Sequence, residues 1–386
     1  MKIVADENIV AVAERYRQHG ELHLLPGRAI GPADVKDADV LLVRSITRVD
    51  RALLADSRVR FVATATSGTD HLDLPWLAGQ GIAVAEAAGS NANAVVEYVL
   101  AALAELHWRG IPVQGRTAAI VGFGQVGSRL HAALRTLGLE VQVCDPLIEA
   151  DLRERGLEAP VSFCSLDEAL QASLVTLHTP LTRGGAHSTW HLLDDSRLRA
   201  LRAGTVLINA ARGAVVCNQA LLARLQQGAD LHCVLDVWEN EPRISMPLLQ
   251  AVTLGTPHIA GYSVEAKTSA SARNYQDFLR HFGLPDTRPN TAGQAARTRL
   301  KVDLATAATL ADALALCLRA AFPVAQIDAQ LRERTSDAGV FDAIRQRLSE
   351  RREFAHYMLQ CENLGRRVDR AALQTRLTAL GFTPEF

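Results

Sequence analysis

Three ionisable residues stand in short motifs that each follow an apolar run. Arg212 lies in Asn209-Ala210-Ala211-Arg212-Gly213, and Glu241 in Leu235-Asp236-Val237-Trp238-Glu239-Asn240-Glu241-Pro242. His258 lies in Thr256-Pro257-His258-Ile259-Ala260-Gly261. Together these types could oxidise a 2-hydroxy acid. A base must take the hydroxyl proton while hydride leaves the same carbon, and histidine titrates near working pH. A carboxylate beside the imidazole fixes its tautomer and stabilises the imidazolium that forms. A cation must hold the substrate carboxylate and polarise the developing carbonyl, a task suited to the planar guanidinium fork. Any one of the three taken alone reads better as a structural salt-bridge or capping residue.

Hydride needs an acceptor, and a second motif supplies a place for one. Gly122-Phe123-Gly124-Gln125-Val126-Gly127 follows the apolar run Ala118 to Val121 and precedes Ser128 to Leu134, whose leucines recur at helical spacing. Val141 to Cys144 then reads as a strand closed by Asp145. A strand, a glycine triplet, a helix and an acid after the next strand form the dinucleotide fingerprint in its required context. Gly122 permits the tight turn, Gly124 lets backbone N–H groups approach the pyrophosphate, and Gly127 lets helix and strand pack closely. The helix N-terminus favours the diphosphate charge. Asp145 can accept hydrogen bonds from both ribose hydroxyls and repels a 2′-phosphate, so NAD is expected over NADP.

These motifs need a scaffold of alternating strands and helices. Residues 1 to about 90 offer the strands Ile3-Val4-Ala5, Val40 to Val43, Phe61 to Ala65 and Ile82 to Ala85. Such alternation implies a parallel sheet with helices on its faces. A long helix over Asn93 to Trp108 is expected to bridge two domains. Residues 117 to 257 form a second βα series, with strands at Leu174 to Leu177, Thr205 to Asn209 and Cys233 to Val237. In such sheets the functional residues cluster past the strand carboxyl ends, where His178, Arg212, Asp236 and His258 fall. A helix is predicted over Ser263 to Phe282, then a linker at Gly283 to Asn290. The remainder should be helical at Leu304 to Leu318, Phe341 to Leu359 and Ala371 to Leu380, too apolar to stand free in solvent.

The bulk properties narrow the class. The chain has 386 residues, 48% hydrophobic and 22% charged, with net charge −1 and no basic run. That argues against nucleic acid as a partner. The early acids Asp6 and Glu7 do not suit a signal peptide, and no apolar run reaches membrane-spanning length, so a cytoplasmic location is expected. Six scattered cysteines without a C-x-x-C pair read as reduced core residues. His187 and His191 have i, i+4 spacing on a possible helix but lack a third ligand, so no metal site is expected.

The ordered motifs G-x-G-x-x-G…D, H-T-P-L-T, N-x-A-R-G, L-D-V-W-x-x-E-P and T-P-H-I-A-G resemble those of the D-isomer-specific 2-hydroxyacid dehydrogenases. Asp6-Glu7-Asn8, V-R-S-I-T-R, T-A-T-S-G-T-D-H-L-D, N-A-N-A-V-V-E-Y-V, H-I-A-G-Y-S-V-E-A-K and a C-terminal extension resemble a branch of that family that oxidises a phosphorylated 2-hydroxy acid. The resemblance implies an α/β fold: two Rossmann-like doubly wound parallel-sheet domains around a cleft, plus a C-terminal α+β dimerisation domain. Residues 1–92 would bind substrate, completed by 263–286. Residues 93–262 would bind NAD, and 287–386 would pair two copies into a homodimer. It implies catalysis by Arg212, Glu241 and His258, with His258 moving the proton. Cofactor contacts are implied at Gln125, Val126, Asp145, Thr179, Ala210, Ala211, Arg212, Asp236 and Gly261, besides the three glycines. Substrate contacts are implied at Ser45, Thr66 and Tyr262. Arg44 and Arg48 bring positive charge beside Ser45, suited to a phosphate dianion. In a two-fold dimer, Arg351 or Arg352 is expected to reach the partner's site. The rival readings are another phosphorylated acid, such as D-3-phosphoglycerate, and a non-enzymatic NAD-sensing corepressor.

Overall fold

A computed structural model describes residues 1–113, 115–286, 297–333 and 338–386. The expected linker at Gly283 to Asn290, and the boundary at residue 287, lie partly outside the described residues. The chain divides into two compact units, residues 1–91 with 263–294, and residues 92–262 with 295–386.

The first unit is a five-stranded sheet of β1 (Lys2–Asp6), β2 (Glu21–Leu25), β3 (Val40–Val43), β4 (Phe61–Thr64) and β5 (Ala83–Glu86). All pairings are parallel, in the order β2-β1-β3-β4-β5. Buried on both faces, β3 reads Val-Leu-Leu-Val without a polar residue, as a doubly covered strand should. Successive side chains serve opposite cores. Ile3, Ala5, Val40, Leu42, Phe61 and Ala63 pack with Tyr275, Phe278 and Leu279 of the helix Val264–Phe282. Val4, Leu41, Val43 and Val62 face Val35, Leu54 and Leu77 instead. That helix is capped by Ser263, whose hydroxyl accepts from the Ala266 N–H at 2.8 Å, and it stops at Gly283 in the left-handed conformation.

The second unit carries a six-stranded sheet of β6 (Thr117–Val121), β7 (Glu140–Cys144), β8 (Leu174–Leu177), β9 (Thr205–Asn209), β10 (Leu231–Leu235) and β11 (Leu254–Gly255). Its order is β11-β10-β9-β8-β6-β7, again all parallel. The helix expected at Asn93 to Trp108 is observed at Ala92–Trp108 and lies wholly in this unit. It is buried on nearly every side, including Glu97 and Glu105.

The C-terminal residues add a three-stranded parallel sheet, β12 (Thr298–Asp303), β13 (Tyr357–Glu362) and β14 (Thr383–Glu385). Their apolar residues Leu304, Leu314, Leu318, Phe354 and Leu373 join the same core as Leu100, Leu103, Ile120 and Leu207. The helix expected at Phe341 to Leu359 ends at Arg347, and Tyr357 begins a strand. The reason is a change of period: along β13 it is Leu359 and Cys361 that are buried, two residues apart. The stretch expected to be helical from Leu304 starts only at Leu310, where Thr309 and Asp312 form a capping box. The last helix, Arg370–Ala379, matches the expected one within a residue. All six cysteines are free thiols, four of them buried. Among the described residues no single helix is long and apolar enough to cross a membrane.

Candidate active site

The glycine motif occupies the turn from β6 into the helix Gln125–Thr136. Gly122 has φ 100°, and a Cβ there would stand 2.7 Å from the His178 carbonyl oxygen at the end of β8. A Cβ on Gly127 would stand 2.0 Å from the Gly122 carbonyl oxygen. At Gly124 the same atom would meet nothing within 4 Å, so the backbone faces open space where the helix begins. Strands β6 and β8 are neighbours although β7 follows β6 in sequence, so this crevice is the topological switch point of the sheet. Beside it, Thr179 Oγ1 and His178 Nδ1 are buried without a hydrogen-bond partner among the described residues. Burial holds the His178 imidazole down to about 3, so the ring is neutral. Asp145 immediately follows β7; its carboxylate accepts from the Phe123 N–H at 2.8 Å and from the Ile148 N–H at 3.1 Å. It thus fixes the glycine loop and caps the next helix. Room at Gly124, an acid at Asp145 and two waiting polar atoms fit a dinucleotide.

The three chemical residues follow three neighbouring strands of the same sheet. Arg212 stands after β9, Glu241 after β10 and His258 after β11. The Arg212 loop is clamped by Asn209, which accepts from the Ala211 N–H at 3.1 Å and donates to the Arg212 carbonyl at 3.0 Å. Gly213 is needed there, because a Cβ would lie 2.0 Å from the backbone of Trp238. Glu241 Oε2 lies 2.7 Å from His258 Nδ1, and its Oε1 accepts from the Trp238 N–H at 2.7 Å. With Nδ1 engaged, Nε2 is the ring nitrogen left to accept a proton, and it has no partner among the described residues. Burial pushes the Glu241 carboxyl up, but His258 and the Trp238 N–H outweigh it and hold it below its ordinary value.

Asp236 organises the His258 loop from beneath. Its side chain accepts from Thr256 Oγ1 at 2.7 Å and from the N–H groups of Ile259 and Ala260 at 2.8 Å. Its carbonyl accepts from the His258 N–H. His258 itself is left-handed, φ 54°. Trp238 Nε1–H donates to the Thr256 carbonyl, and Tyr98 shares a 2.7 Å hydrogen bond with Thr256. Trp238, Tyr98 and Thr256 were not singled out from sequence. Trp238 and Tyr98 each stood within a quoted motif, but the contact of Tyr98 with Thr256 spans 158 residues and left no signal of its own. Ala210, Ala211 and Gly261 lie in the loops that carry Arg212 and His258.

In the first unit, Arg44 and Ser45 follow β3 and Thr66 follows β4. Thr66 shares a 2.8 Å hydrogen bond with Thr64, whose hydroxyl also meets His71 Nε2 at 2.9 Å. Arg44 Nε donates to Asp6 Oδ2 at 2.8 Å, while Arg48 is 84% exposed and pairs with the helix-capping Asp50. Arg48 thus pairs at the surface, whereas Arg44 pairs with a buried acid. His187 and His191 occupy a loop rather than a helix, and His191 Nε2 bonds Glu239 at 2.7 Å. Arg351 is buried within its own chain and cannot reach a partner's site. It donates to Glu97 at 2.8 Å and to the Tyr262 carbonyl at 2.6 Å, with its guanidinium 4.3 Å from the centre of the Phe322 ring. Over the Tyr262 ring, at 5.2 Å, stands Arg345, which sequence reasoning passed over.

Residues 91–260 match the family profile described as the D-isomer specific 2-hydroxyacid dehydrogenase, NAD binding domain. The chain is 46% identical over 360 residues to an erythronate-4-phosphate dehydrogenase of Pseudomonas entomophila (strain L48), covering 92% of each. It is 40% identical to that of Yersinia pestis (strain Pestoides F), covering 100% of each. The chain belongs to the erythronate-4-phosphate dehydrogenase family. It is an NAD-dependent dehydrogenase built on the 2-hydroxyacid dehydrogenase fold. The solved D-lactate dehydrogenase of Aquifex aeolicus, complexed with NAD and lactic acid, shares that fold, with TM-score 0.58, 21% identity and coverage of 73% of this chain and 96% of that one.

Proposed function

We propose that this chain oxidises 4-phospho-D-erythronate at C2 to 3-hydroxy-2-oxo-4-phosphooxybutanoate, a step in forming pyridoxal 5′-phosphate. The observation that carries the reading is the 2.7 Å Glu241–His258 pair, set in the same parallel sheet as a complete dinucleotide loop. His258 Nε2 takes the C2 hydroxyl proton. Glu241 holds Nδ1–H, fixes the tautomer and offsets the imidazolium charge. Arg212 grips the substrate carboxylate and polarises the carbonyl as it forms. Gly122, Gly124, Gln125, Val126, Gly127 and Asp145 hold the cofactor's diphosphate and ribose, with Thr179, Ala210, Ala211, Asp236 and Gly261 along its length. NAD, when bound, supplies the hydride acceptor. Ser45, Thr66, Arg44 and Tyr262 bind the substrate. The reading includes a homodimer formed through the C-terminal residues and a cytoplasmic location.

The test is an assay of the purified protein with NAD against 4-phosphoerythronate, 3-phosphoglycerate and unphosphorylated erythronate, with and without an added 2-oxo acid. NADH formation, or reduction of the 2-oxo acid, should be fastest with 4-phosphoerythronate. A preference for 3-phosphoglycerate, or no turnover of any of the three, rejects the assignment.

A further inference from the structure

We infer that Asp6 is a positioning residue for phosphate recognition: buried against Gly27, it grips Arg44 by Nε and turns the guanidinium's two terminal nitrogens toward a phosphate dianion. The inference rests on the function proposed above and adds a residue to it. The first unit has its own topological switch point. Strands β1 and β3 are neighbours, with β2 outside β1 and β4 outside β3, so a crevice opens past the carboxyl ends of β1 and β3. Asp6 is the last residue of β1, and Arg44 immediately follows β3.

Asp6 is fully buried. A buried carboxylate must be paired and hydrogen-bonded to be tolerated. Its Oδ1 accepts from the Asn8 N–H at 2.9 Å and its Oδ2 from Arg44 Nε at 2.8 Å. The approach is possible because residue 27 is glycine: a Cβ there would stand 2.1 Å from Asp6 Oδ2. The Gly27 carbonyl in turn accepts from Thr47 Oγ1 at 2.7 Å, which ties the turn after β3 to the same point. Arg44 is 33% exposed, and its terminal nitrogens have no partner among the described residues. Holding a guanidinium by Nε leaves the opposite edge, Nη1 and Nη2, as a two-pronged donor for phosphate. Lysine has no such edge, and an arginine without Asp6 would have to be ordered by the ligand itself.

The experiment is a double-mutant cycle of Asp6→Asn and Arg44→Gln, read by affinity for inorganic phosphate and by KM for phosphorylated and unphosphorylated erythronate. Thermal melting and NAD binding establish that each variant is folded. Asp6→Asn should weaken phosphate binding and raise KM for the phosphorylated acid about tenfold, with less effect on kcat and on the unphosphorylated acid. On the Arg44→Gln background it should add little. Additive losses, or an equal effect on both acids, overturn the inference. Should Asp6→Asn fail to fold, Gly27→Ala takes its place, since its methyl group displaces the Asp6 carboxylate while leaving both charged residues in the chain. Wild-type protein that binds phosphate through a coupled Asp6–Arg44 pair yet does not oxidise 4-phosphoerythronate would reject the proposed function and leave the positioning role standing.

Discussion

His258 holds a left-handed backbone conformation that non-glycine residues seldom adopt, and five groups around it explain why it can. Asp236 collects the hydroxyl and amides of its loop, Trp238 and Tyr98 brace Thr256, and Glu241 takes the ring. If His258 is the base, His258→Ala should cut turnover by about a hundredfold or more while the NAD dissociation constant stays near wild type. Turnover near wild type in that variant would remove His258 from the chemistry. Asp145 makes a second residue-level prediction. It should disfavour NADP by charge repulsion and by loss of ribose hydrogen bonds, so kcat/KM with NADP should fall far below that with NAD. Comparable values would refute it. Asp145→Ala should narrow the gap, though it also removes the acceptor for the Phe123 N–H and so loosens the glycine loop. Of these groups, Arg212, Glu241, His258 and Asp145 were legible because each ends a recognisable strand motif. Tyr98 and Asp6 were not legible in their roles, since a hydrogen bond to Thr256 or a grip on Arg44 spans long stretches of sequence and leaves no local pattern.

At the scale of elements, parallel strands buried on both faces announced themselves as apolar runs, unbroken at Val40 to Val43 and interrupted only by Thr176 at Leu174 to Leu177. The edge strand β2 did not, because Glu-Leu-His-Leu-Leu carries polar residues where solvent can reach them. In the C-terminal region, the start of β13 was hidden at the end of a longer stretch expected to be one helix, whose period changes from helical to alternating. Gly127 offers an element-level test. A methyl group there would meet the Gly122 carbonyl at 2.0 Å and push the helix Gln125–Thr136 away from β6. Overpacking of this kind costs about 1–3 kcal/mol. Gly127→Ala should therefore lower the melting temperature and weaken NAD binding together, as followed by calorimetry and fluorescence titration. Unchanged NAD affinity would show that helix-to-strand contact is not what shapes the loop.

For the whole molecule, the apolar C-terminal residues lie in the second unit's own core, and the expected homodimer must use what remains outside it. Light scattering on the full chain should give a dimer; a monomer would end that proposal. A buried pair inside this core gives a pH test. Glu97 lies against Arg351, and burial pushes its carboxyl up to about 8 although Arg351 pulls the other way. A folded-state value above the unfolded one means that the unfolded chain sheds this proton first. Stability from Glu97 is therefore full below about 4.5 and is lost as pH rises toward 8. Glu97→Gln should flatten that decline in a melting-temperature profile, and an unaltered slope would assign the decline to other groups.

Arg351 also ties together two of the three places where the chain passes between its units. It donates to the carbonyls of Ala94 and Tyr262, beside the boundaries at residues 91/92 and 262/263, while the Phe354 N–H bonds Glu97. During synthesis, then, a nascent chain that has already emerged through β11 holds every strand of the dinucleotide sheet but not the residues that seal its longest helix. Domains that close on local sequence can fold while the ribosome is still at work. The sealing of that helix has to wait for Arg351 and Phe354, so it comes only after every strand of the sheet has been made, and a chain released before them leaves Glu97 without either partner.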